Sequence, residues 1–232
     1  MLDNPKTERR FCINAPDVEL SKIEYHYHNG NLLSKTVFSD GNVQTESTYT
    51  YNTKNQLIAE DYVTHRMTIN SALIYNDLGQ HVNTISRTTN FDSDGQQISE
   101  VASEAPKEYV NNLLVKEWAD WGGFTTYFYE NGKKVKQIDH TKAGEEHHIT
   151  TYKYRGYLLT EEKMETRDGK LMYLKKYRYD SQNRLTKVFD GEHLIEENSY
   201  NGNRLIEKRM HYFGIDPGFY ACNGNFLYTY TY

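Results

Sequence analysis

Eight Asp-Gly or Asn-Gly dipeptides punctuate this chain, at 29–30, 40–41, 94–95, 131–132, 168–169, 190–191, 201–202 and 223–224. Such pairs supply the positive φ angles of tight hairpin turns, and between alternating residues they are strong hairpin signals. Only four prolines occur in 232 residues, so little blocks strand pairing. A chain punctuated this way has few choices besides antiparallel sheet.

Aligning on the turns exposes a repeat. Tyr177-Arg178-Tyr179-Asp180, a turn through Asn183, then Arg184-Leu185 is its cleanest copy. Tyr25-His26-Tyr27 before Asn29-Gly30, Tyr127-Phe128-Tyr129 before Asn131-Gly132 and Tyr152-Lys153-Tyr154 before Gly156 are others. Copies recur at roughly 20 to 25 residues, and an array of that period buries surface unit against unit. In each copy the two tyrosines share one strand face and the residue between them takes the other. Ser99 to Trp118 is the best helical candidate, but Pro106 and Asn111-Asn112 interrupt it.

Composition fits thin sheets. Mean hydropathy is −0.85. Twenty-one tyrosines argue against disorder. Each can bury a ring and keep its hydroxyl wet. We therefore expect an all-β, antiparallel meander of tyrosine-rich hairpin repeats forming an elongated, twisted, curved sheet or partial barrel. One domain over 1–232 is expected, with a soft boundary at 99–123.

The net charge of −5 argues against direct nucleic-acid binding. No apolar run has signal-peptide or membrane-span length, so a cytoplasmic protein without membrane contact is expected. Cys12 and Cys222 are too few for a disulfide scaffold, and free thiols are the simpler reading.

The motif Tyr179-Asp180-x-x-Asn183-Arg184-Leu185 resembles the YD repeat of Rhs and teneurin-type proteins, with Asn183 in place of the family's glycine. "YFYENGKKV" and "YHYHNGNLL" are similar to the MORN-type repeats of YwqK-family antitoxins. The chain is far shorter than an Rhs shell. The resemblance implies a small bacterial immunity protein or antitoxin whose partner is a cognate protein toxin. A nuclease effector with a basic groove would suit the acidic balance. A carbohydrate-binding or surface-associated repeat module is the alternative it implies.

No P-loop, nucleophile elbow, H-E-x-x-H, C-x-x-C or dinucleotide fingerprint occurs. We expect no enzyme activity, no cofactor and no metal. His26 and His28 share a strand face, but zinc would need a third ligand. A solvated pair is simpler, as it is for His140, His147 and His148. Glu161-Glu162 and Glu196-Glu197 are neighbours that face opposite ways on a strand, which suits a solvated or partner-facing surface better than acid–base catalysis. Trp118-Ala119-Asp120-Trp121-Gly122-Gly123 holds both tryptophans and interrupts the repeat. It suits a cap or an interface anchor. Trp118, Asp120, Trp121, Glu161, Glu162, Glu196 and Glu197 are thus the candidate partner contacts. The passage 211–225 reads as a loop before a closing strand.

Overall fold

The computed structural model describes residues 4–13, 15–119, 121–211 and 225–232. Among the described residues there are nineteen strands and no helix. The expected all-β antiparallel meander is what forms. Residues 99–118, the best helical candidate, are strands: Gln97–Glu104, Lys107–Val110 and Leu113–Trp118. Pro106 and the Asn111-Asn112 turn account for that outcome, both asparagines having positive φ (49° and 65°).

The chain forms two compact units, one of residues 1–47 and 175–232 and the other of residues 48–174. In the first, β1 (Thr7–Cys12) lies between β2 (Ala15–His28) and β19 (Asn225–Thr231), so strands from both ends of the chain pair antiparallel. β3 (Asn31–Ser39) follows β2. On the other side the order continues through β18 (Arg204–His211), β17 (His193–Asn201) and β16 (Leu185–Asp190) to β15 (Leu171–Tyr179), which spans the division in sequence at residue 175. β4 (Asn42–Tyr51) spans the division in sequence between the units.

The second unit runs β5 (Leu57–Thr64), β6 (Met67–Tyr75), β7 (His81–Phe91) and β8 (Gln97–Glu104), each beside the next. β9 (Lys107–Val110) continues β8 through Ala105 and Pro106. Ala105 exchanges backbone hydrogen bonds with Thr84 of β7, and the Pro106 carbonyl accepts from Trp118 N at 2.9 Å. The meander then proceeds through β10 (Leu113–Trp118), β11 (Phe124–Glu130), β12 (Lys133–His140), β13 (Glu146–Arg155) and β14 (Leu158–Thr166).

The turns adopt the backbone their sequences dictate. Asn29 and Gly30 have φ of 50° and 83°, Asn131 and Gly132 of 49° and 75°. Two adjacent positive φ angles make the type I′ turn that matches strand twist. Asn183 (φ 61°) stands in the left-handed conformation at the position where the YD motif has glycine.

The repeated tyrosine marks a bulge. Tyr27, Tyr75, Tyr109, Tyr129, Tyr154, Tyr179 and Tyr200 each pair with a residue just beyond the turn, and the register then slips by one. The skipped residues are Leu33, Val82, Val115, Val135, Thr160, Thr186 and Ile206. A bulge leaves its extra residue unpaired and bends the strand.

Tyrosine hydroxyls then link copy to copy. Tyr129 donates to the Leu114 carbonyl at 2.8 Å, Tyr154 to Lys134 at 2.9 Å, Tyr200 to Leu185 at 2.8 Å and Tyr232 to Leu205 at 2.7 Å. Tyr75 and Tyr109 do the same to Leu57 and His81. Five of these carbonyls (His81, Leu114, Lys134, Leu185 and Leu205) belong to residues that pair with a repeat tyrosine beside a bulge. A backbone acceptor at a broken ladder needs such a partner.

A second link joins turn to turn. Asp180 Oδ1 accepts from the Gln182 and Arg184 amides, and its Oδ2 pairs with the Arg184 guanidinium at 2.7 Å. Arg184 reaches on to the Gly202 carbonyl and lies over the Tyr200 ring, 4.9 Å from its centroid. Gln56, oriented by Asn52, reaches the Gly79 carbonyl in the same way. Lys133 reaches that of Gly156. The Asp and Arg of the YD motif are therefore a turn clamp.

The apolar core is thin, as the composition requires. Cys12, Ile138, Val188 and Phe226 are its buried members, with Ser47, Thr89 and Thr150 buried among polar residues. Cys12 is disulfide-bonded, which corrects the expectation of a free thiol there. The sequence's other cysteine, Cys222, lies outside the described residues.

Candidate functional site

Strands β10 to β13 of the second unit present two chemically different faces. Alternation assigns Lys116, Trp118, Phe124, Thr126 and His140 to one face, and Glu117, Thr125, Tyr127, Gln137, Asp139, Thr150 and Tyr152 to the other.

The first face carries an aromatic ledge. Trp118 and Phe124 are cross-strand partners with centroids 6.1 Å apart, and Phe124 stacks on His140 at 4.3 Å and 15°. The Lys116 ammonium sits 4.1 Å from both the Trp118 and Phe124 ring centroids. Each such cation–π contact contributes on the order of 0.5–1 kcal/mol at an exposed site. Thr126 Oγ1 lies 3.1 Å from His140 Nε2, which fixes the imidazole beside the ledge.

The adjoining turn carries Trp121. Gly122 N donates to the Ala119 carbonyl and Ala119 N to the Gly123 carbonyl, closing the β10–β11 hairpin. The indole lies directly over Gly123, where a Cβ would stand 1.7 Å from the ring. Only glycine permits that approach. The outer indole surface stays open, with 62% of Trp121 exposed. Asp120 lies outside the described residues.

The second face is a polar network. Lys107 and Glu117 form an ion pair at 2.7 Å, and the Tyr127 hydroxyl donates to the same carboxylate. Burial works to raise the Glu117 carboxyl, but the Lys107 and Tyr127 hydrogen bonds outweigh it and hold it below the usual range. Burial, together with neighbouring carboxylates, pushes the Tyr127, Tyr152 and Tyr173 hydroxyls well above the usual tyrosine range. Tyr152 donates to Gln137 Oε1 at 2.7 Å, Thr125 to Asp139 at 2.9 Å, and Tyr173 to Glu162. The Lys134 ammonium packs on the Tyr152 and Tyr127 rings, 4.5 and 5.2 Å from their centroids, and donates to Gln137. Burial lowers its pKa, and Glu162, Glu117 and Asp139 oppose that.

The paired glutamates separate by face. Glu161 bridges to Lys153 directly across the β13–β14 ladder at 2.8 Å, while Glu162 turns to the tyrosine network. In the first unit Glu197 bridges to Lys187 at 2.9 Å across β16–β17. Glu196 accepts from Asn198 at 2.7 Å and lies 3.6 Å from Lys208. Glu161 and Glu197 are therefore neutralised locally.

Glu117, Lys134, Asp139 and Thr150 escaped the sequence reading, which took Tyr127 and Tyr152 as repeat residues alone. Counting by twos along β11 and β13 would have put Thr125 with Tyr127 and Thr150 with Tyr152. It fails at Lys134 and Gln137, which are an odd three residues apart yet hydrogen-bonded at 3.1 Å. The bulge at Val135 shifts the parity between them.

Among the described residues, no group of three or more His, Cys, Asp or Glu side chains is placed to hold a metal ion. Nor is any helix there long and apolar enough to cross a membrane, which leaves strands unaddressed.

No protein-family model and no curated protein matches the chain. Solved structures do. The TcdB2-TccC3-Cdc42 crystal structure is 12% identical with a TM-score of 0.32, the match covering 98% of this chain. The chain spans 15% of that neighbour's length. A porin-like protein from Bacteroides uniformis is 10% identical with a TM-score of 0.49, the match covering 81% of this chain and 95% of the other. At these scores neither neighbour assigns the chain a family or a function.

Proposed function

We propose that this protein is a non-enzymatic binding protein, an immunity protein or antitoxin that binds a cognate bacterial toxin in the cytoplasm and blocks it. The observation that carries the reading is Trp121. A large apolar ring lies over Gly123 with its outer surface open, next in sequence to the Trp118–Phe124 ledge. Tryptophan is enriched among the residues that anchor protein interfaces. The net charge of −5 supports a basic partner such as a nuclease effector, whose groove would steer toward acidic side chains. Co-expression with the toxin encoded beside its gene tests the reading. Rescue of growth and co-elution on a sizing column are expected, and both are lost in Trp121→Ala. Absence of rescue together with absence of a complex overturns it.

One observation favours a second reading, a surface-associated or carbohydrate-binding repeat module. Cys12 is disulfide-bonded, and disulfides persist mainly outside the reducing cytoplasm. Thiol titration of protein purified without reductant, with a glycan array, addresses it. Two titratable thiols and an empty array would dispose of this alternative.

A further inference from the structure

Strand β8 keeps one edge open. It pairs with β7, and its continuation β9 takes its partner, β10, on the opposite side. The change of side falls at Ala105 and Pro106. Ala105 exchanges both backbone hydrogen bonds with Thr84 of β7, while the Pro106 carbonyl accepts from Trp118 of β10. Beyond Trp118 the chain turns back through Ala119 and Gly123 into β11, so β10 stops where it would begin to cover β8. Hydrogen-bonded and non-hydrogen-bonded pairs alternate along an antiparallel ladder, so the Ala105–Thr84 pair fixes the rest. Ser103 and Val101 point their N–H and C=O groups toward β7, and Glu104, Ala102 and Glu100 point theirs away from it. Among the described residues no strand receives them.

Proteins commonly blunt such an edge with lysine, proline or a very short strand, because a free ladder invites another strand. β8 has eight residues with neither lysine nor proline among them, and its bulge, at Ile98, lies near its start. Its charge gives the edge a preference. Glu100, Ala102 and Glu104 share one face, and Ser99, Val101 and Ser103 the other. From Asp92 to Glu104 the chain carries four carboxylates and no basic residue. Arg87 of β7 lies 3.5 Å from Glu100, and Asn83 donates to Glu104 at 3.4 Å. A second copy of this chain is therefore a poor occupant. Paired residues share a face, so two β8 strands joined at this edge would gather Glu100 and Glu104 of both copies on one side, and like charges across a ladder are destabilising.

We propose that the open edge of β8 docks an extended basic segment, which adds to the sheet as one further strand. Resting on the reading given above, that segment belongs to the basic toxin. Main-chain hydrogen bonds to Glu100 and Ala102 would hold it, and its alternate side chains would set its identity. Lysine or arginine at every second position would face Glu100 and Glu104, and apolar residues between them would lie beside the exposed Val101. The added strand would take the sheet position that β10 leaves at Trp118, and so would end at the hairpin that carries Trp121. One edge would then supply the backbone ladder, and the hairpin at its end the aromatic anchor.

The test adds an alternating lysine–valine heptapeptide, acetylated and amidated, to the full chain and follows backbone amide exchange by NMR. A glutamate–valine peptide of the same length is the control. Saturable binding of the lysine peptide is expected, with the control about tenfold or more weaker, because charge complementarity carries the difference. The Glu100 and Ala102 amides should exchange at least about tenfold more slowly in the complex. Ala102→Pro, checked by its melting curve, removes an outward N–H that makes no bond to β7 and abolishes binding. Methylating alternate backbone nitrogens of the lysine peptide cuts the same ladder from the other side, and is expected to abolish binding without touching the fold. Equal binding of the two charged peptides, no saturable binding, undiminished binding of the methylated peptide, or unchanged exchange at Glu100 and Ala102 would refute the edge. Dimerisation of the free chain that protects the same amides would put a second copy there and refute it too. The two proposals fail separately. Peptide binding without toxin rescue keeps the edge and loses the function. Rescue that persists in a folded Ala102→Pro variant keeps the function and loses the edge.

Discussion

The β15–β16 and β10–β11 hairpins are built on the same plan and use their side chains differently. In the first, nearly every polar group around the turn is occupied by the turn itself or by the next copy. Asp180 holds two amides and Arg184, and Arg184 holds Gly202 and Tyr200. In the second, backbone hydrogen bonds between Ala119 and the two glycines close the turn, and the large side chains lie beside it. Trp121 rests on Gly123 and Trp118 on Phe124, with surface left over. A copy whose side chains are engaged with its neighbours is scaffold. A hairpin between copies that leaves an aromatic surface open is where recognition can be added without unfolding the array.

Four substitutions would break or sharpen that contrast. Val188→Ala in β16 should cost about 2 kcal/mol, because a side chain 5% exposed leaves a cavity. Chemical denaturation measures it, and a loss below about 0.5 kcal/mol would mean that this hairpin is no better packed than a surface. Tyr200→Phe should cost about 1 kcal/mol, since the Leu185 carbonyl loses its hydroxyl donor while the ring keeps its place. An unchanged denaturation midpoint would show that the inter-copy link is idle.

Asp180→Asn should change the pH dependence more than the fold. Backbone hydrogen bonding from Arg184, with its side chain and the Gln182 amide, holds the Asp180 carboxyl below its ordinary value of 3.8. A depressed carboxyl contributes stability that is present above its unfolded pKa and is lost as pH falls through the folded one. The wild type should therefore exceed Asp180→Asn in thermal midpoint at neutral pH. The gap should close on acidification to below about pH 4. A gap constant with pH would contradict the clamp. Trp121→Ala, at the other hairpin, should move stability least, within about 0.5 kcal/mol, while abolishing toxin rescue. A large stability loss there would recast Trp121 as a cap.

Much of the scaffold was legible because its signals are local. Asn29-Gly30 and Asn131-Gly132 announce their turns by backbone preference alone, and Tyr-x-Tyr announces a strand by alternation. The bulges were hidden because the skipped residues, β-branched at Val82, Val115, Val135, Thr160, Thr186 and Ile206, have the composition of ordinary strand residues. The candidate site was legible only at its margins. Glu162 and the tryptophans stood out as unusual residues. Glu117, Asp139 and Thr150 did not, because they acquire meaning only when four strands bring them to one face. Glu161 looked equivalent to Glu162 until Lys153 appeared opposite it.

The turn clamps have an evolutionary consequence. The reach from one copy to the next is made by arginine at 184, glutamine at 56 and lysine at 133, and each is received by the backbone carbonyl of a turn glycine, at Gly202, Gly79 and Gly156. The donor differs from joint to joint while the acceptor stays the same. A main-chain oxygen accepts from any N–H long enough to reach it, so the joint places a demand on the reach of the donor and not on its identity, and sequence can change there while the array stays joined.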